Sequence, residues 1–143
     1  MARWLVLGAI LWPLILGAAV AARVHDPASV VARVIYDVGA RICHQRPERS
    51  FHTSDIAWPV CARCAGLYLA APFGALFAMG VARTRTLQRR QALRALAVAA
   101  IPTLVTLLIE WPGFAPTSNL VRFLTALPLG ATIAWVLVRT ART

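Results

Sequence analysis

The residues with the most chemical potential in this chain lie between Cys43 and Cys64, a stretch that holds all three cysteines and two of the three histidines. Cys61 and Cys64 form a C-x2-C pair, a spacing at which two sulfurs can share one metal ion. Cys43 with a nearby histidine completes a tetrahedral Cys3His set of the kind that holds zinc or a similar divalent ion. Two histidines compete for the fourth place. His44 is the sequence neighbour of Cys43, so joint ligation requires a bent backbone, whereas His52 is free to fold back. Three cysteines could instead form one disulfide, Cys61 to Cys64 or Cys43 to Cys61, with a thiol left over. A thiol-disulfide or metal-handling role for the C-x2-C pair is the corresponding functional alternative.

Charge around these ligands matters as much as their spacing. A Cys3His zinc site carries a formal charge of about −1, because three thiolates outweigh the divalent ion. Arg41, Arg46, Arg49 and Arg63 are close to it in sequence and can offset that charge or leave a surplus for an anion. The sequence offers no nucleophile-base pair, so it leaves enzymatic activity undecided.

The elements that must position this segment are membrane spans. Of the 143 residues 59% are hydrophobic, and the net charge of +10 arises from arginine without any lysine. Apolar runs split the arginines instead of gathering them on one polar surface, which argues against nucleic acid as a partner and for the lipid bilayer. Residues 4–22 are uncharged and long enough to cross a hydrocarbon core of about 30 Å at about 1.5 Å per residue. This run exceeds the apolar core of a secretory signal, so we expect a retained span. Three further spans are expected at about 60–82, 93–111 and 120–138. Pro59 suits the start of the second, which would put Cys61 and Cys64 together in its first turn, on one face.

Between the first two spans, residues 27–42 carry Val30, Val31, Val34, Ile35, Val38 and Ile42 at helical spacing, an amphipathic helix suited to the membrane surface, with Asp26 as its expected cap. The fold class is therefore all-α: one polytopic domain of four transmembrane helices, one interfacial helix and a Cys/His-rich extramembrane segment at 43–64. Arg3, the five arginines between positions 83 and 94, Arg139 and Arg142 fall on one side with no acid, whereas the other side holds seven arginines and all five acids. The positive-inside rule then places both termini in the cytoplasm and the cysteine segment outside the cytoplasmic membrane.

That layout brings a second group to the same face. Glu110 ends the third span, and Asn119 and Arg122 begin the fourth, three residues apart on one side of their helix. An intramembrane charge is costly enough to face a partner or a cavity. We expect Arg122 to point inward, toward Glu110 or the metal cluster, and to line a polar pocket with Arg49 and Arg63 that could receive an anionic lipid or small anion.

The combination of Cys43, His44 and Gln45, then Pro47, Glu48, Arg49, Ser50 and Phe51, then Pro59, Val60, Cys61, Ala62, Arg63 and Cys64, followed by Gly66 and Tyr68, resembles a prokaryotic family of small predicted membrane proteins, domain of unknown function 2085. Thr117, Ser118, Asn119, Arg122 and Gly130 look like that family's second motif. Ala126 stands where the family pattern implies glycine, and Glu110 where it implies aspartate. The resemblance implies a multi-span helical membrane protein and supplies no activity. Three function classes follow from the residues. The first is an interaction or structural membrane protein with a metal-stapled outer segment, the second a membrane enzyme gripping an anionic group, and the third the thiol or metal-handling protein.

Overall fold

A computed structural model describes residues 1–80, 87–111 and 115–142. In chain order it contains α1 (Ala2–His25), α2 (Val30–Ile42), a 3-10 turn (Pro47–Arg49), β1 (Ser50–Thr53), β2 (Ile56–Cys61), α3 (Ala62–Gly80), α4 (Arg89–Glu110) and α5 (Asn119–Thr140). α1, α3, α4 and α5 are long and apolar enough to cross a membrane. Their large side chains face outward in numbers no water-soluble bundle shows, among them Leu14, Phe73, Phe77, Val98, Leu108 and Leu120. The protein is an all-α membrane protein of four spanning helices, to which α2 and a small hairpin are added. Arg83 and Arg85 of the arginine-rich loop lie outside the described residues, as do the end of the 60–82 run and positions 112–114.

The core of the bundle is the pair α3 and α5, and small residues make it. On α3 the buried positions Ala62, Gly66, Ala70, Gly74 and Ala78 recur every fourth residue. On α5 the buried positions are Arg122, Ala126, Gly130, Ala134 and Val138, at the same interval. Lipid tails are as apolar as leucine, so helices in a membrane associate through close backbone approach along such stripes. A Cβ on Gly130 would stand 2.6 Å from Leu67 Cα, and one on Gly74 would stand 2.6 Å from the Ala131 carbonyl carbon. Gly130→Val is therefore expected to lower stability by about 1–3 kcal/mol through overpacking. Unfolding of the detergent-solubilised protein reads this, with Gly17→Val as the neutral control, since Gly17 faces open space.

α2 departs from expectation at its start. Ser29, not Asp26, caps it, with Ser29 Oγ accepting from Ala32 N–H at 3.4 Å. Asp26 instead closes the preceding turn by accepting from Ala28 N–H at 2.9 Å. The helix buries Ala32 and Gly39 and leaves Val30, Val31, Val34, Val38 and Ile42 exposed, an apolar stripe without a partner among the described residues.

The segment after α2 is not irregular. β1 and β2 pair antiparallel, Thr53 opposite Ile56 and Ser50 opposite Cys61. Ser54 and Asp55 form the two-residue turn with φ of 49° and 65°, both left-handed, as the primed hairpin turns require. The pairing is interrupted between Ser50 and His52. There β2 carries Pro59, which has no N–H to offer a ladder. Its carbonyl instead accepts from Gln45 Nε2 at 2.7 Å, and the same nitrogen donates to Tyr36 O at 2.6 Å. Tyr36 Oη donates to Ala57 O at 2.8 Å, so α2 and β2 are stitched together directly behind the cysteines.

Candidate metal centre and arginine cavity

Each cysteine comes from a different element. Cys43 is the extended residue that ends α2, its N–H bonded to Gly39 O at 2.9 Å. Cys61 is the last residue of β2, and Cys64 lies in the first turn of α3. The expectation that Cys61 and Cys64 share a helical turn is thus corrected, because the strand pairing with Ser50 holds Cys61 in extended backbone. The two sulfurs converge all the same, since β2 runs into α3 without a linker. The three sulfurs lie within 4.8 Å of one another. All three are free thiols. Cys43 is buried, and its Sγ accepts from Cys61 N–H at 3.2 Å. The Cys61 thiol is held well below the ordinary thiol value, chiefly by a hydrogen bond from the Cys64 side chain, with a smaller contribution from Cys43.

Neither histidine belongs to this cluster of donor atoms. His44 is exposed but lines the cavity beside it. His52 is exposed on β1 opposite Ala57 and does not line that cavity. The arrangement present is a three-thiol set, and its donor chemistry fits a thiophilic divalent ion, because soft sulfur ligands gathered at this distance close on such an ion with little backbone cost.

Beside the sulfurs is a cavity of about 700 Å³. Arg46, Arg49, Arg63 and Arg122 line it together with the three cysteines, His44 and Glu110. Glu110 lies between two guanidiniums. Arg122 Nε donates to its Oε1 at 2.9 Å, and Arg63 Nη2 stands 3.1 Å from its Oε2. Side-chain exposures of 6% for Glu110, 10% for Arg122 and 14% for Arg63 make this a buried triad with a net positive charge. Asn119 does not line the cavity. It couples the triad to the hairpin, accepting from Arg122 Nη1 at 2.7 Å while donating to Ser50 O at 2.9 Å.

Sequence reasoning missed the part that five residues play at the site. Thr106 accepts from Arg63 Nη2 at 3.3 Å, and its spacing four residues before Glu110 was the available signal. Ser50 is fully buried and donates to Arg46 O at 3.0 Å, which fixes the turn that carries Arg46 and Arg49. Ile42, Leu107 and Trp111 form the apolar rim of the cavity.

Comparison with known proteins places this geometry in a lineage. No solved structure matches the chain. An uncharacterized protein of Methanothermobacter thermautotrophicus is 37% identical over 93 residues, covering 65% of this chain and 81% of that protein. Another, from Methanocaldococcus jannaschii, is 29% identical over 104 residues, covering 73% of this chain and 66% of the relative. The family described as predicted membrane protein, DUF2085, matches residues 43–136. That match opens on Cys43 and takes in the three thiols, the hairpin, the Glu110–Arg122 pair, the α3 stripe and the α5 stripe as far as Ala134, leaving α1 and α2 outside it. The chain belongs to the DUF2085 family of predicted membrane proteins.

Proposed function

We propose that Cys43, Cys61 and Cys64 hold one zinc-type divalent ion as thiolates, and that its fourth coordination position opens into the arginine cavity, where an anionic group is received. The observation that carries this reading is the convergence of three sulfurs on the wall of a cavity that four arginines also line. Three thiolates and a divalent ion amount to a formal charge of about −1, and Glu110 adds one more negative charge, so the four guanidiniums leave a positive surplus. His44 lines the same cavity, whereas His52 does not. A position open to the cavity favours binding or processing of an anionic lipid or small anion over a purely structural staple. Purified protein is expected to carry about one divalent ion per chain, with its thiols unreactive until a chelator is added.

A second reading rests on Cys61. A thiol below its ordinary pKa, hydrogen-bonded by its neighbour and bordering a cavity, suits thiol exchange. Metal-free protein whose Cys61 reacts at once with a thiol reagent would favour that reading over the metal centre.

The same proposal includes placement. Eight arginines without an acid lie on the side of the N-terminus, the loop after α3 and the C-terminus, which the positive-inside rule assigns to the cytoplasm. The site then faces outward across the cytoplasmic membrane. A cysteine introduced at Gln88 in a Cys43, Cys61 and Cys64 to serine background is expected to resist a membrane-impermeant maleimide in intact cells and to react after lysis. Labelling in intact cells would reverse the orientation.

A further inference from the structure

We infer that the cavity draws its anionic ligand from the bilayer, as the phosphate headgroup of a lipid-like amphiphile that enters sideways between the ends of α2 and α4. This inference rests on the anion-receiving reading above and names its ligand class. Depth is the first argument. α2 ends at Ile42, α3 begins at Ala62, α4 ends at Glu110 and α5 begins at Asn119. Four helix ends meeting around one cavity place it where the spans leave the hydrocarbon, at the level of lipid headgroups.

The second argument is the pattern of charge. Glu110 is committed to Arg63 and Arg122, and among the described residues Arg46 and Arg49 enter no ion pair. Arg46 is exposed and Arg49 half-buried, both on the cavity wall. Two guanidiniums in reach of one pocket suit the bidentate grip of a phosphate.

The third argument is the rim. Ile42 is 51% exposed and Trp111 is 89% exposed, and both line the cavity. Were the mouth built for a water-borne anion, its rim would be polar. Instead the apolar rim continues along two rails, Val34 and Val38 on α2 and Leu104 and Leu108 on α4, all exposed. An indole at this depth sits where tryptophan is enriched in membrane proteins. A charged interior flanked by apolar rails is complementary to a molecule with an anionic head and an apolar tail. The volume of about 700 Å³ also exceeds what a bare phosphate needs and falls in the range of small-molecule sites, roughly 300–1,000 Å³.

The test uses the full chain purified in a neutral maltoside detergent and calorimetric titration with four probes: dioctanoyl phosphatidic acid, dioctanoyl phosphatidylcholine, glycerol 3-phosphate and inorganic phosphate. Phosphatidic acid is expected to bind about tenfold or more tightly than glycerol 3-phosphate, and phosphatidylcholine more weakly than phosphatidic acid. Trp111→Ser and Ile42→Ser, both at exposed positions, should erase most of the lipid's advantage while changing the affinity for glycerol 3-phosphate far less. Arg46→Gln and Arg49→Gln should weaken phosphatidic acid and glycerol 3-phosphate alike. Equal affinity for phosphatidic acid and glycerol 3-phosphate, or an unchanged lipid affinity in Trp111→Ser and Ile42→Ser, overturns lateral entry while the anion site stands. Equal affinity for the two lipids overturns recognition of a net anionic headgroup. Failure of every phosphate compound to bind removes the anion-receiving reading itself, and metal content, measured on the same samples, reports separately on the thiolate centre.

Discussion

Cys61→Ser is expected to strip the ion from the purified protein, taking its content from about one per chain to near zero, and to loosen the segment from Cys43 to Cys64. Serine keeps the backbone donor that bonds Cys43 Sγ but removes one of the three converging sulfurs. Structural zinc contributes on the order of 10 kcal/mol of apparent binding free energy at neutral pH in small domains, so losing one of three thiolates leaves too little to retain it against a chelator. Metal analysis and hydrogen exchange over residues 43–64 would register both effects. Acid should mimic the substitution. Thiolate ligation requires deprotonated sulfur, so binding is full at neutral pH and is lost as pH falls and protons displace the ion. Cys61→Ser protein that keeps a full equivalent of metal would exclude the three-sulfur set.

The second large effect is expected at Glu110. Glu110→Gln retains the shape of the side chain but leaves the Arg63 and Arg122 guanidiniums facing each other with their shared counter-charge gone. Breaking a buried ion pair by removing one partner costs about 3–5 kcal/mol, because the remaining charge is desolvated and unpaired. Denaturation in mixed micelles should show a loss of that order. Joint replacement of Glu110 and Arg122 by methionine should cost less than the two single changes added together, since residues sharing one network are not additive. A Glu110→Gln loss below about 1 kcal/mol would mean that the triad is solvated and weak, as surface ion pairs are.

How much of this was legible beforehand differs from element to element. The spans announce themselves through charge-free length, and the inward pointing of Arg122 follows from the cost of a charge in lipid, three residues from Asn119. The C-x2-C pair is visible as a pattern, but its backbone is not. Pro59 reads as a helix start, yet Gln45, just past α2, donates to its carbonyl while Tyr36 of α2 donates to Ala57 O, and together they hold the segment in a strand. The hairpin escaped because its turn is built from Ser54 and Asp55 without a glycine, and left-handed φ at such residues leaves no mark in hydropathy. His52 was a credible ligand only while 50–53 was irregular, since strand pairing with β2 leaves it exposed. The cap of α2 went to Ser29 because Asp26 had a nearer donor in Ala28 N–H. The cap and the turn were decided by near neighbours, whereas the strand at Pro59 and Cys61 depends on partners far along the chain, which local spacing does not encode.

The spatial order of the helices also governs how the protein can be made. α5 packs most extensively on α3 and next on α4, so a span that leaves the ribosome after both of them sits between the two. α3 is the least apolar of the four spans and the most buried, and its stripe of glycine and alanine stays uncovered until α5 arrives. Arg63 and Glu110 likewise wait for Arg122. A nascent chain arrested before residue 119 already holds all three cysteines yet lacks the wall that turns them into a site. Quality control that recognises exposed polar or small-residue helix faces in the bilayer would find its target in that interval, and the insertion of α5 is the event that ends it.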